Sequence, residues 1–376
     1  MALSFKPDNL MIEQLKTIQA KLGSLYDVLI ALGEAEREFI AKQAFISNIG
    51  SSTRIENAVL TDQEIDWVDT VLSEDARPTA FKKYRDVIFN KLSKDKERSI
   101  EEVVGCREML EFVYSEYSNL KPLREVDLRG MHSFLLRHYP KAEHYCGRYK
   151  PNTNRVVMLN HETGESDIVL DPASPGPITD AAMKDLFDWY NLERQENPWP
   201  LLFASELTFR FLAIHPFQDG NGRISRALFL LSLLQSEDKY ISEVAKFVAI
   251  DRHIEADRAA YYLALRQCSD GKFKQDPCDY NLEPIVNFFL RAFERSLDDV
   301  NIYLEKYHKL QSLTEIESKV LETFRSRPET KLRVSDISEA TDLLKRSIQN
   351  AIKTLVENGF LQKSGRGPQV VYQLVF

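Results

Sequence analysis

The sequence predicts a mainly α-helical protein with a small β-hairpin, an N-terminal helical domain and a C-terminal winged helix-turn-helix. Three observations predict it. Apolar residues recur at three- and four-residue steps through most of the chain, as in Met11–Gly33 and Glu283–Gln311. A short β-branched run beside Gly, Pro and Asn at Val156–Val157, and an alternating pattern around Gly365–Arg366–Gly367, read as strands. The 376 residues are too many for one ordinary core, so two or three domains are expected.

The elements follow in order. After Met11–Gly33 the helical pattern resumes, and the cap-type residues of ISNIGSST predict one helix ending near Gly50 and another starting near Ser52. Thr61 with Glu64 three residues on reads as a capping box. Helices are expected at Ala80–Lys94, Ser99–Ser118 and Val126–His138, then at Ala181–Glu193 and Pro198–Ile214. Between these sets, YCGRYKPNTNRVVMLNHETGE predicts the small hairpin, and DPASPGPITD a proline-rich loop. After Gln311 the order is helix, short helix, longer helix and an alternating strand pair, that of a winged helix-turn-helix.

Composition limits the function. The chain is 43% hydrophobic and 28% charged with a net charge of −8, which argues against a general nucleic-acid or membrane binder. The four cysteines, Cys106, Cys146, Cys268 and Cys278, form no CxxC pair and no zinc-type cluster, so a reduced, cytoplasmic setting is expected. The N-terminus has no apolar signal region, and Ala227–Leu234 is far too short to span a bilayer.

One stretch concentrates chemistry: HPFQDGNGRISR, His215–Arg226. Pro216 pushes His215 out of the α region, so the preceding helix should end there and expose the imidazole. Gly220, Asn221 and Gly222 permit a tight turn with close backbone approach to a ligand. Free N–H groups at the start of the next helix then form an anion site. Asp219 is a hard oxygen ligand suited to Mg²⁺ beside phosphates. Arg223 and Arg226 are three apart on one helical face and offer forks for phosphate oxygens. His215 can serve as general base near neutral pH. Together these groups suit transfer of a phosphate-containing group to a hydroxyl.

The stretch resembles the HPFx[D/E]GNGRxxR signature of Fic-domain proteins, which transfer AMP from ATP to a Ser, Thr or Tyr hydroxyl of a protein. The resemblance implies that His215 deprotonates the hydroxyl and Phe217 anchors the loop inward. Asp219 would bind Mg²⁺ (or Mn²⁺) on the α- and β-phosphates. Gly220, Asn221 and Gly222 would form the anion hole, with Arg223 on the phosphates and Arg226 on the γ-phosphate. It implies a Fic-type helical core over residues 101–311, an N-terminal domain at 1–100 and the winged helix at 312–376. CGRYKPNTNRVV resembles the family's flap, which aligns the target by backbone pairing, with Gly147, Lys150, Val156 and Val157 as its candidates. DRAAYYLALRQC resembles the helix beside the nucleotide base, with Tyr261 and Tyr262 set between adenine contacts and ordinary packing. Ser269 stands where some relatives have asparagine.

SSTRIEN is similar to the family's [S/T]xxxE[G/N] motif, here Ser52 to Glu56–Asn57. In the family its glutamate pairs with the second arginine of the signature, which is Arg226. A carboxylate in that fork denies it to the γ-phosphate, and each charge-assisted hydrogen bond is worth about 1.5–3 kcal/mol. The resemblance therefore implies an autoinhibited member, and in some relatives the same glutamate helps water remove AMP from modified targets.

The partners so implied are ATP and a protein with a hydroxyl side chain, the chain itself included. Homo-oligomerisation is compatible with the sequence. A rival reading makes the chain a winged-helix regulator of DNA or protein, with the Fic core as nucleotide sensor. Lys345, Arg346, Gln349, Asn350 and Lys353 on the candidate recognition helix suit major-groove contacts. From Leu313 on, ten Lys and Arg face eight Asp and Glu, only a slight positive excess.

Overall fold

The computed structural model describes residues 3–73, 80–92, 96–159, 166–195, 197–326 and 331–375. The described residues are mainly helical, with two small antiparallel hairpins. No helix among them is long and apolar enough to cross a membrane.

Two compact units emerge, Met1–Ala58 with Glu101–Val300, and Val59–Ile100 with Asn301–Phe376. The first opens with α1 (Asn9–Ala31), whose Asp8 cap accepts the Met11 N–H at 2.7 Å. Its buried stripe, Met11, Ile18, Leu22, Leu25 and Leu29, has the predicted helical spacing. The next helix, α2 (Glu34–Ile55), runs through Gly50 without the expected break. Gly50, Ser51, Ser52 and Thr53 are all buried, and small side chains let α2 lie close to its neighbours. Thr53 Oγ1 also bonds back to the Ile49 carbonyl at 2.9 Å. Burial here outweighs the weak helix propensity of the segment.

The chain passes through α3 (Asp62–Ser73) and α4 (Ala80–Lys91) of the second unit before α5 (Glu97–Glu116) and α6 (Glu125–Leu136). The capping box predicted at Thr61 is present, with the Thr61 N–H on Glu64 Oε2 at 2.8 Å. The hairpin pairs β1 (Val156–Leu159) with β2 (Ser166–Leu170), and a bulge falls between Val156 and Val157. Residues 160–165 of the expected hairpin lie outside the described residues. Gly147 and Lys150 precede the strands rather than belonging to them.

The centre of the unit is a helical pair. After α7 (Pro177–Glu193), α8 (Pro200–Ile214) and α9 (Asn221–Leu234) pack along each other. Every residue from Leu201 to Ile214 is buried, as is every residue from Asn221 to Leu234 except Gly222. Both are apolar round most of their circumference, as helices buried all round require, and the buried Glu206 of α8 is paired with Arg210 at 3.5 Å. Then come α10 (Lys239–Val244), α11 (Ile250–Ala256), α12 (Arg258–Ser269) and α13 (Glu283–Gln311). Helix α2 packs on both α9 and α11, which is why residues 1–58 fold with this unit.

The second unit closes the chain with α14 (Glu315–Arg325), α15 (Val334–Thr341), α16 (Lys345–Glu357) and the hairpin β3 (Leu361–Ser364)–β4 (Val371–Leu374). Phe324, Ile337, Ile348, Leu355 and Phe360 share its core. Three helices and a strand pair thus follow one another in the predicted order.

Candidate active site

The 215–226 loop joins α8 to α9 and is fixed from within. His215 ends α8 in the left-handed region, with φ 50 and ψ 59, outside the right-handed α region that Pro216 disfavours. Asn221 closes the loop on itself: its Oδ1 accepts the Phe217 N–H at 2.9 Å and its Nδ2 donates to the Phe217 carbonyl at 2.7 Å. Gly220 has φ +81, and a Cβ there would lie 2.8 Å from Leu135 Cδ2. Phe217 is fully buried, as an anchor should be, and its ring stacks on His132 at 3.9 Å.

His132 is a residue that sequence reading missed. It is fully buried, accepts the Gly147 N–H on Nδ1 at 2.8 Å and faces the Asp219 carbonyl with Nε2 at 3.1 Å. Those partners assign the Nε2–H tautomer, and burial holds its pKa down at about 4, so the ring is neutral. In VDLRGMHSFLLRH, His132 carries no sequence signal beyond its place on an amphipathic face. Gly147 therefore serves the loop through His132, and with φ +69 its missing Cβ avoids Ser133 Oγ.

Lys150 also holds this loop. Its N–H donates to the Pro216 carbonyl at 2.7 Å, and its buried ammonium donates to the Ile214 carbonyl at 3.2 Å and to Asn154 at 2.9 Å. His215 is thereby bracketed on both sides.

His215 lines a cavity of about 220 Å³ together with Asp219, Gly220, Asn221, Gly222 and Arg226. The imidazole is half-buried rather than openly exposed. Burial, with the nearby Lys150 ammonium second, lowers its pKa to about 4. Its Nδ1 faces the Leu212 carbonyl at 3.3 Å, which assigns the proton to Nδ1 and leaves the Nε2 lone pair free.

The first intrahelical bond of α9 runs from the Ile224 N–H to the Gly220 carbonyl. The N–H groups of Asn221, Gly222 and Arg223 therefore have no helical acceptor, the requirement for an anion site. Glu56 stands beside this turn. Its Oε1 would clash with a Cβ on Gly222, and it accepts from Arg226 Nη2 at 3.0 Å. Ser52 completes the grip, with Oγ 2.9 Å from Arg226 Nε and its carbonyl 2.8 Å from Nη2. The Glu56–Arg226 contact implied by the resemblance is thus present across 170 residues of sequence.

Asp251, also missed, stands 3.6 Å from Arg226 Nε. It is buried, and burial raises its pKa to about 6 against the opposing pull of Arg226. Nothing in VAIDRHIEAD distinguishes it from a surface carboxylate.

The end of α2 explains Asn57. The Ala58 N–H bonds the Thr53 carbonyl and the Asn57 N–H the Arg54 carbonyl, a Schellman arrangement. It requires a left-handed residue, and Asn57 has φ 74. Glycine or asparagine after the glutamate is therefore a backbone demand. Arg258 donates to Asn57 Oδ1 at 3.2 Å, and Arg54 makes a two-point ion pair with Glu255 at 2.7 and 3.0 Å.

Other candidates are placed differently. Arg223 does not line the cavity. Its guanidinium is buried, with Nη2 on Asp219 Oδ1 at 3.1 Å, and Nε and Nη1 have no hydrogen-bond partner among the described residues. The i,i+4 pair with Asp219 draws it away from the anion turn. Tyr261 and Tyr262 both line the cavity, but Tyr261 is buried against Phe288 and Phe289. Tyr262 is half-buried, with the Arg258 guanidinium 5.6 Å from its ring centre. Ser269 is buried, bonds the Leu265 carbonyl at 2.9 Å and is not part of the wall. Val156 and Val157 both line the cavity, because the bulge breaks the alternation that would face them apart.

The donors fit a nucleotide's phosphates: three free N–H groups, Arg226 and a glycine with no Cβ in the way. Asp219 lines the cavity with a partly exposed carboxylate. No group of three metal-ligating side chains occurs among the described residues, so a cation there would draw most of its ligands from phosphate and water.

Residues 122–233 match the Fic/DOC family. The chain is 26% identical over 219 residues to "Protein adenylyltransferase Fic" of Nematostella vectensis, a match covering 57% of this chain and 44% of that protein. It is 23% identical over 197 residues to the protein of the same name from Drosophila willistoni, covering 52% and 33%. The matched stretch thus spans less than half of these curated relatives. Among solved structures, a Fic family protein from Desulfovibrio desulfuricans G20 superposes with TM-score 0.56 at 20% identity, over 99% of this chain and 97% of that one. A Fic domain containing signaling protein from Bacteroides thetaiotaomicron VPI-5482 gives 0.56 at 23% identity, over 78% and 97%. These structures share the fold. With the loop, its buried anchor and its anion turn in place, the chain carries a domain of the Fic/DOC family at residues 122–233.

Proposed function

We propose that the protein is an adenylyltransferase that moves AMP from ATP to a Ser, Thr or Tyr hydroxyl of a protein, itself included, and that Glu56 restrains it. The observation that carries this reading is the juxtaposition of the His215 imidazole with the free N–H groups of the anion turn in one cavity. His215 Nε2 accepts the hydroxyl proton, and the hydroxyl oxygen attacks the α-phosphorus. The bond from that phosphorus to the bridging oxygen breaks, and pyrophosphate leaves. The N–H groups of residues 221–223 hold phosphate oxygens, and Arg226 takes the γ-phosphate once Glu56 withdraws. Mg²⁺ (or Mn²⁺) held by Asp219 would neutralise charge on the phosphates. Tyr262 offers a face for the base.

The test is label transfer from α-³²P-ATP with Mg²⁺. Wild type should label weakly, Glu56→Gly strongly, and Glu56→Gly/His215→Ala not at all. Equal labelling of wild type and Glu56→Gly would remove the restraint and keep the enzyme. No labelling of any protein by any variant would reject the activity.

A second reading has its own observation. Lys345, Arg346, Gln349, Asn350 and Lys353 are all exposed on α16, opposite its buried Ile348, Ile352 and Leu355. This supports DNA binding by the second unit in the manner of a winged helix. Duplex DNA titrated by fluorescence anisotropy at low salt decides it: absence of binding there rejects the reading.

A further inference from the structure

A second, larger opening lies beside the catalytic cavity. It has a volume of about 800 Å³ and is walled by Arg155, Asp171, Pro172, Ile178, Lys272 and Phe273. Arg155 lines both openings, so they meet at one side chain. The floor is built from backbone. Asp171 bridges Lys272 in parallel fashion, through Asp171 N–H to the Gly271 carbonyl and Phe273 N–H to the Asp171 carbonyl, each 2.9 Å. Ala173 N–H reaches the Ala213 carbonyl at 3.3 Å, two residues before His215.

We propose that this groove holds the target chain next to the modified hydroxyl, and that it selects an extended segment bearing a carboxylate and an apolar side chain. The inference rests on the transferase reading and adds the substrate class. Three observations carry it. Strand β1 pairs only with β2 among the described residues, so its outer edge is open to an added strand. The groove begins at Arg155, immediately before β1, so a segment laid along that edge with its hydroxyl at His215 continues over the groove. The chemistry of the walls is specific: Ile178 is 51% exposed beside Pro172 and Phe273, and Lys272 is exposed with no ion pair among the described residues. Arg155 Nε stands 3.4 Å from Asp171, but both side chains are more than half exposed. Such a pair contributes little, so Arg155 can exchange Asp171 for a ligand carboxylate. Asp171 and the apolar wall disfavour a nucleic-acid backbone.

The test uses the full chain carrying Glu56→Gly with α-labelled ATP. The substrates are peptides with a central Ser, Thr or Tyr flanked by Asp and Leu or by Lys. The expected result is about tenfold higher kcat/KM for Asp- and Leu-flanked peptides than for Lys-flanked ones. Lys272→Glu should erase or invert that charge preference, and Ile178→Asp should erase the Leu preference, with the KM for ATP unchanged. Preferences that survive both substitutions, or labelling blind to flanks, would overturn the proposal. Anisotropy of a fluorescein-labelled Asp- and Leu-flanked peptide reads the groove without the reaction. Binding lost in Lys272→Glu by a chain that transfers no AMP keeps the groove and rejects the transferase; transfer blind to flanks does the reverse.

Discussion

The loop from His215 to Arg226 and the end of α2 from Ser52 to Asn57 meet at one guanidinium, yet they are built on opposite principles. The loop is closed largely by its own residues, with Lys150 and His132 bracing it from outside. Asn221 closes it, Gly220 turns it, and the helix it begins supplies its own N–H groups. The end of α2 holds its functional carboxylate only through distant partners: Arg226, Glu255 through Arg54, and Arg258 through Asn57. A site made of local bonds stays assembled, whereas one made of distant bonds can be withdrawn. On the proposed reading the loop is the fixed part and Glu56 the movable one.

That contrast can be broken from either side. The largest effect is expected from the fixed part. In a Glu56→Gly background, His215→Ala should lower labelling by about 10²–10⁴-fold, while the melting temperature stays close to that of the parent.

The pH profile sharpens the same point. An imidazole with its pKa lowered to about 4 is neutral above that pH and gains a proton only as pH falls through it. Labelling by Glu56→Gly should therefore be flat from pH 6 to 8 and drop towards pH 4, whereas an unburied imidazole would lose half its base near about 6.5. A rise centred there would mean that the cavity hydrates His215 fully.

The movable part should respond without any change in the catalytic loop. Arg54→Ala removes the two-point pair with Glu255, a side-chain contact partly shielded from solvent. Losing about 1 kcal/mol of hold on α2 should raise labelling several-fold, short of the gain in Glu56→Gly. An exchange, Arg54→Glu with Glu255→Arg, should return it towards wild type, and failure to do so would assign the effect to packing.

The smallest effect is expected at Asn57. Asn57→Gly keeps the left-handed cap and should leave labelling and melting nearly unchanged. Asn57→Val places a β-branched residue at positive φ, costs about 1–2 kcal/mol, and should lower the melting temperature while loosening Glu56.

Legibility in the sequence followed the same divide. The loop could be read because its groups are contiguous and each has a local reason to be there. Long amphipathic helices and the Thr61 capping box were readable for the same cause. The Glu56–Arg226 contact was reached only through family resemblance, since nothing local links residues so far apart. His132 and Asp251 went unseen, because single polar residues on helical faces acquire meaning only from what they pack against. The break expected at Gly50 failed for a related reason: cap-type residues also serve as small residues in a buried helix, and only the partner helices decide which.

Gly222 has a consequence for how restraint is measured. The Glu56 carboxylate fills the space that a Cβ on Gly222 would need. If Glu56 restrains the site as proposed, it is a tethered competitor, and its strength depends on effective concentration rather than on affinity alone. The apparent dissociation constant for a productively bound nucleotide becomes the intrinsic one divided by the fraction of chains with the carboxylate out. Free acetate added to Glu56→Gly would have to approach millimolar levels or more to reproduce what one tethered side chain achieves.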